Sequence, residues 1–373
     1  MLDPVTSAQI TEASEAVREH GSISAAARFL KMPRTTLDHR YKKSVQRNAI
    51  NGVEAPFVVK GTSTYFDKDG KATGQWVKTK SDDAERWRMI QAAIDKRVQQ
   101  IVPRSPTPMA FVEQPRQDLL NLLTMTDCHV GAMCWHKEGG ADWDLKIAQE
   151  TLTRVFAGLI RSMPPAKTMI VNNLGDFLHT DGLKALTPAS GNLLDADGRF
   201  PKLSEVAVQM LEDIITIALE KHERVHFINA EGNHDEASSS WLRMMFKRIY
   251  RDEPRLTVED SPFPFYAYQH GEVMLAFHHG HKLSPAQLPL FFASRFSEMW
   301  GDTKRRYGHS GHRHHLDEKD YSGMRWLQHP TLAANDAHGS RSGYISPREA
   351  IAITYDLNKE LNRCYATPEM FDF

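Results

Sequence analysis

Apolar residues recur at helical spacing early in the chain and at alternating spacing soon after, so the chain divides into segments of different architecture. Ile10, Ala13 and Val17 mark one face of a first helix, His20-Gly21 supplies a stop, and Ser22 caps the next. Ile23, Ala26, Ala27 and Leu30 fall at i, i+3, i+4 and i+7, the stripe of a second helix. A third starts at Pro33, whose fixed φ suits a first helical turn, and buries Leu37 and Tyr41. From Phe57 to Lys80 the period becomes two. Phe57–Phe66 and Gly74–Lys80 flank Asp67-Lys68-Asp69-Gly70, which predicts a β-hairpin. Asp67, Asp69 and Gly70 read as this turn and not as a calcium loop, because the downstream acidic ligands are lacking. Tyr65 and Trp76 read first as the hairpin's own core and second as an extension of a DNA surface. A helix with Trp87, Ile90, Ile94 and Val98 on one face then runs to Val102.

Pro103, Pro106, Pro108 and Pro115 mark a stiff linker. Beyond it, apolar strands (Leu119–Met125, Met169–Asn173, Val225–Asn229, Val273–His278) alternate with amphipathic helices near Leu145–Ile160 and Leu203–Leu219, a layered α/β pattern. The expected organisation is a helical domain at 1–50, a hairpin and helix extension at 51–102, the linker at 103–116 and an α/β domain at 117–373.

With 25% charged and 41% hydrophobic residues, the 373-residue chain has the make-up of a soluble globular protein. Cys128, Cys134 and Cys364 form neither a disulfide framework nor a cysteine zinc site, and a reducing cytoplasm is the expected compartment. No apolar run approaches the length of a membrane span. The net charge of −1 hides an asymmetry: between Ser24 and Ile50, Arg28, Lys31, Arg34, Arg40, Lys42, Lys43 and Arg47 face one acid, Asp38. Histidine is uneven too, with eight of 18 between His270 and His315, so a cluster with a common task is expected there.

The chemistry-bearing motifs follow the strands. Asp127-Cys128-His129, Gly175-Asp176-Phe177-Leu178-His179, Gly232-Asn233-His234-Asp235 and His278-His279-Gly280-His281 each follow one strand, and Gly311-His312-Arg313-His314-His315 comes last. Loops at the C-terminal ends of strands in an α/β fold gather into one site. Carboxylate, imidazole and amide oxygen suit manganese, iron or zinc, and a carboxylate between two such ions supports in-line displacement at phosphorus. Cys128 is expected to turn into the core; His309 and His315 read either as outer partners of the ligands or as plain surface residues.

This series resembles the calcineurin-like metallophosphoesterase superfamily from about Asp118 to Asp356. The resemblance implies a four-layer αββα sandwich and two divalent metal ions, foremost Mn2+. Asp127, His129 and His314 would hold the first, Asp176 would bridge, and Asn233, His279 and His312 would hold the second. His278 and His281 remain alternatives to His279. His234 would be the general acid, oriented by Asp235. His179 stands where phosphatases of the superfamily carry an aspartate, and this G-D-x-x-H pattern resembles its double-strand-break repair nucleases, whose histidine lies close to the phosphate.

Ser22 to Lys43 resembles a DNA-binding helix-turn-helix with Lys31 in place of the usual turn glycine. That resemblance puts Arg34, Thr35, Asp38 and His39 at base edges and Arg40, Lys42, Lys43 and Arg47 at phosphates, and suits a homodimer. The combined expectation is a two-metal phosphodiesterase acting on DNA. The alternatives are a phosphomonoesterase or cyclic-nucleotide phosphodiesterase with a regulatory DNA-binding segment, and a DNA-binding regulator whose metallo-domain is a sensor.

Overall fold

The computed structural model describes residues 6–51, 57–81, 102–110, 114–188 and 190–371, with positions 88 and 92. The chain forms two compact units, 1–100 and 101–373.

In the first unit, Thr6 caps helix α1 (Ser7–His20) through a reciprocal box with Gln9, and Gly21 ends it at φ 75°. Ser22 accepts a hydrogen bond from the Ala25 amide to start α2 (Ile23–Phe29). Lys31 takes the left-handed conformation at φ 51°, where a glycine is easiest. Pro33 then sits just ahead of α3 (Arg34–Asn51), its carbonyl accepting from the Thr36 and Leu37 amides. Ala13, Val17, Ile23, Ala26 and Leu37 form the core of the three helices; the alanines let the helices pack closely.

Strands β1 (Phe57–Phe66) and β2 (Ala72–Ser81) make the expected hairpin, with Ser63 opposite Trp76 and Tyr65 opposite Gly74. The expectation that Tyr65 and Trp76 form its core is overturned: they are 65% and 62% exposed. The other face is the one turned to α3, where Gln75 Nε2 donates to the Val45 carbonyl at 3.4 Å and Lys42 lies over the Phe66 ring. The expected helix bearing Trp87, Ile90, Ile94 and Val98 lies outside the described residues.

The second unit holds two sheets. β3 (Arg116–Met125), β4 (Ala166–Asn173), β5 (Arg224–Asn229) and β6 (Leu256–Val258) run parallel; β12 (Ala350–Tyr355) joins β3 antiparallel and β13 (Glu360–Ala366) closes that edge. The second sheet has the order β10 (Asp317–Tyr321), β11 (Met324–Gln328), β9 (Arg305–Ser310), β8 (Val273–Phe277), β7 (Tyr266–His270), with β8, β9 and β11 parallel.

The period-two pattern fixes the layers. Leu120, Leu122, Ile170 and Ile228 of the first sheet meet Val273, Leu275, Phe277 and Leu327 of the second. The alternate residues Leu123, Met125, Met169 and Val171 face a separate core built with the helices Leu145–Ser162, Phe200–Lys221 and Glu236–Ile249. On the far side Met274 and Trp326 pack against Leu288 and Phe292 of the helix Leu288–Arg295. This is the expected αββα sandwich.

The proline-rich segment is fastened to this unit over its described part. The Arg104 amide donates to the Ile249 carbonyl, the Thr107 amide to Glu253 at 2.8 Å, and the Ala110 amide to the Glu220 carbonyl. Among the described residues no helix is long and apolar enough to cross a membrane.

Candidate metal centre

β3, β4 and β5 end side by side, as do β8 and β9 in the facing sheet, so five loops converge at one end of the sandwich. The loops are bound to one another before any side chain acts. The Asp127 amide donates to the Gly175 carbonyl, the His129 amide to the Asp176 carbonyl, and the Gly311 amide to the His279 carbonyl.

Five of the seven described non-glycine residues at positive φ lie here: Asp127, His129, Asp176, His312 and His314, between 43° and 74°. Such backbone costs ~1–3 kcal/mol per residue and persists where the surroundings hold it, as they do at functional sites. Two glycines permit the close approach. A Cβ on Gly232 would collide with Asp176 Oδ1, and one on Gly311 with Thr126 and Asp127.

The side chains gather as two neighbouring groups. Donor atoms of Asp127, His129 and His314 lie within 4.8 Å of one another, as do those of Asp176, His279 and His312. His129 Nε2 is 3.1 Å from His314 Nε2, and His314 Nε2 is 3.3 Å from Asp127 Oδ1. His279 Nε2 stands 3.2 Å from Asp176 Oδ2, 3.3 Å from Asn233 Oδ1 and 4.0 Å from Asp127 Oδ1, so it joins the groups. Its Nδ1 faces the Leu174 carbonyl at 2.9 Å, which leaves Nε2 for the centre. His279 is therefore the histidine of its loop that reaches the two carboxylates. His278 stacks on Phe265 and its Nδ1 accepts from the Gly280 amide, while His281 stacks on His278.

The electrostatics fit a cation. Burial pushes the Asp127 and Asp176 carboxyls up, but the facing histidines, His314 and His279 foremost, carry both well below the usual carboxylate range. Burial also works against protonated His279, yet Asp176 and Asp127 raise it to about 10. Burial and neighbouring imidazoles hold His129 far below its ordinary value and His179 at about 4, so both are neutral near pH 7. Two anionic oxygens, neutral imidazoles and an amide oxygen are a donor set for manganese, iron or zinc, and a divalent ion here competes with the His279 proton.

His234 is held through its amide, which donates to Asp176 Oδ1 at 2.7 Å, and through Nδ1, 3.0 Å from the His179 carbonyl. His179 Nδ1 is 3.2 Å from His129 Nδ1, and donor atoms of His129, His179 and His234 lie within 4.8 Å of one another. The expectation that Asp235 orients His234 is corrected. The fully buried Asp235 carboxylate accepts instead from the amides of Asp176, Phe177, Leu178 and Gly232 at 2.8–3.2 Å, tying two loops together. Burial, then the Asp176 charge, push its pKa up to about 7 despite these bonds. Asp235→Ala should lower stability by about 3 kcal/mol or more, because each buried amide left without an acceptor costs ~1–3 kcal/mol. Urea unfolding measures this, and an unchanged midpoint contradicts the tether.

His309 is neither an outer partner of a nominated ligand nor a surface residue: it is buried between His329 at 3.0 Å and the Tyr355 hydroxyl at 3.2 Å. His315 is exposed, with Nδ1 on the Arg313 carbonyl. Cys128 is buried, as expected. Three further residues carry the site without a sequence signal. Thr126 donates to Asp127 Oδ2 at 2.7 Å, Thr331 donates to the Asp127 carbonyl, and Asp181 accepts from the Ala237 and Ser238 amides at the start of the helix Glu236–Ile249.

In the first unit, Arg34, Thr35, His39, Lys42 and Lys43 are exposed. Arg40, expected at phosphates, is half-buried and lies 3.8 Å from Glu12 of α1. Arg47 likewise donates to Ser7 of α1, and Lys42 pairs with Asp38 at 2.8 Å.

No protein-family model and no curated protein matches the chain. Several solved structures do. An uncharacterized protein of Streptococcus pneumoniae described as a predicted phosphoesterase is 12% identical, over 68% of this chain and 92% of its own, at a TM-score of 0.30. Vps29 of Entamoeba histolytica, solved with zinc, is 13% identical over 66% and 98% at 0.29. A novel archaeal phosphodiesterase is 14% identical over 66% and 99% at 0.33.

Proposed function

We propose that the chain is a two-metal phosphodiesterase acting on DNA. The observation that carries the reading is the abutment of the two donor groups, Asp127/His129/His314 and Asp176/His279/His312, with His279 close to both carboxylates. Asp127, His129 and His314 would hold one divalent ion, and Asn233, His279 and His312 a second, with Asp176 between them. Bound there, the ions supply charge neutralisation at phosphorus and activation of the attacking water.

The chain's own groups do the rest. His234, braced through Nδ1 on the His179 carbonyl, presents Nε2 as the proton donor to the departing oxygen. His179 is neutral and packed on both His129 and His234, so it keeps the two rings at a fixed separation. Thr126 and the His312 amide, which donates to the Asp127 carboxylate at 2.8 Å, keep that ligand from turning.

DNA as the substrate is supported by the exposed face of α3, where Arg34, Thr35, His39 and Lys43 follow the turn at Lys31 in the manner of a helix-turn-helix. The test is hydrolysis with Mn2+ of single-stranded DNA, double-stranded DNA, a generic phosphodiester and a phosphomonoester by the full chain. The reading expects DNA and the generic diester to be cleaved. Turnover of the monoester alone would make DNA an address and not a substrate.

A further inference from the structure

We propose that the outer face of the hairpin β1–β2 is a stacking platform for single-stranded DNA. It adds a binding site to the reading above and rests on it only for the choice of DNA over RNA.

The register places Ser63, Tyr65, Gly74, Trp76 and Lys78 on one face of the ribbon. Tyr65 stands directly opposite Gly74, and a Cβ on Gly74 would lie 3.7 Å from Trp76 Cη2. The indole therefore extends across the glycine toward the tyrosine, so two aromatic rings occupy adjacent places. Both are mostly exposed. The opposite face is the one held by α3 through Gln75 and Phe66, so these rings are not what attaches the hairpin to its unit.

The surrounding charge selects the occupant. Lys60, Lys68, Lys71 and Lys78 are exposed, against two acids in the hairpin, Asp67 and Asp69. Asp67 spends one carboxylate oxygen on the amides of Asp69 and Lys71 inside the turn. A face meant for a second sheet or a helix needs contiguous aliphatic side chains; this one offers two aromatic rings beside Ser63, Gly74 and Lys78. Aromatic faces beside cationic stems bind unstacked bases and their phosphates, and they do so with little dependence on sequence. A duplex keeps its bases stacked on each other, so the platform favours single strands.

The experiment is anisotropy titration of a fluorescein-labelled oligothymidylate, and of a duplex of equal length, with the full chain in a chelator. Tyr65→Ala and Trp76→Leu should each weaken oligothymidylate binding at least about fivefold, with a smaller effect on the duplex. Trp76→Phe should keep most of the affinity. Lys78→Gln should reduce the slope of log affinity against log salt by about 0.7. Leucine preserves apolar bulk without an aromatic face. Unchanged affinity in Trp76→Leu, equal losses on duplex and single strand, or a change of oligomeric state without loss of affinity would each overturn the platform. Hydrolysis of a small chromogenic diester separates the two proposals. Ring-dependent binding without turnover removes the phosphodiesterase reading and keeps the platform, and turnover with ring-independent binding does the reverse.

Discussion

His234→Ala should lower DNA hydrolysis by about 10²- to 10⁴-fold, the usual contribution of a positioned general acid, while costing far less on a p-nitrophenyl phosphodiester. The difference arises at the leaving group. The sugar oxygen of DNA needs a proton as the bond to phosphorus breaks, whereas p-nitrophenolate departs without one. On the proposed reading His234 supplies that proton: its Nδ1 is committed to the His179 carbonyl at 3.0 Å and its amide to Asp176 at 2.7 Å, so the ring has little freedom to turn. Comparing kcat of wild type and variant on the two substrates at saturating Mn2+ measures the effect. Equal losses on both would mean that His234 serves the metals or the fold and not the leaving oxygen.

The second large effect is expected at Asp176. Asp176→Asn preserves shape but replaces one carboxylate oxygen by an NH2 group, which cannot bind a cation. Outer partners of metal ligands are worth about 10- to 100-fold when lost, so a carboxylate between two sites should exceed that and take turnover down by more than about 100-fold. It should also weaken metal retention, because Oδ2 faces His279 while Oδ1 takes the His234 amide. Turnover against Mn2+ concentration checks both. Near-normal rates in Asp176→Asn would remove the two-metal assignment.

The candidate ligand cluster was legible because metal chemistry restricts residue type and short spacings restrict geometry. Asp127-x-His129 and His312-x-His314 each follow a strand, and the structure brings every residue nominated as a ligand to one end of the sandwich. Which strand residues face the other sheet and which face helices became clear only in the structure, because the apolar runs leave the two faces alike. The edge strands are less legible. β10, for example, is Asp317-Glu318-Lys319-Asp320-Tyr321, a mostly exposed strand whose pairing with β11 leaves no apolar signature.

Asp235 shows why roles are harder to read than sites. Its place beside His234 suggested a partner for the ring, but adjacent residues in a turn point apart, and its carboxylate meets four backbone amides instead. Tyr65 and Trp76 fail differently. Period two says that they share a face, not which face the helices will cover. Thr331 acts from a loop more than 200 positions from Asp127, a distance that no local motif spans.

The most direct test of the two-metal centre is calorimetric titration of Mn2+ into the metal-free full-length chain. The account predicts two binding events per chain, with protons released as His279 gives up its hydrogen to the ligand role. A single site, or no saturable binding, would contradict it.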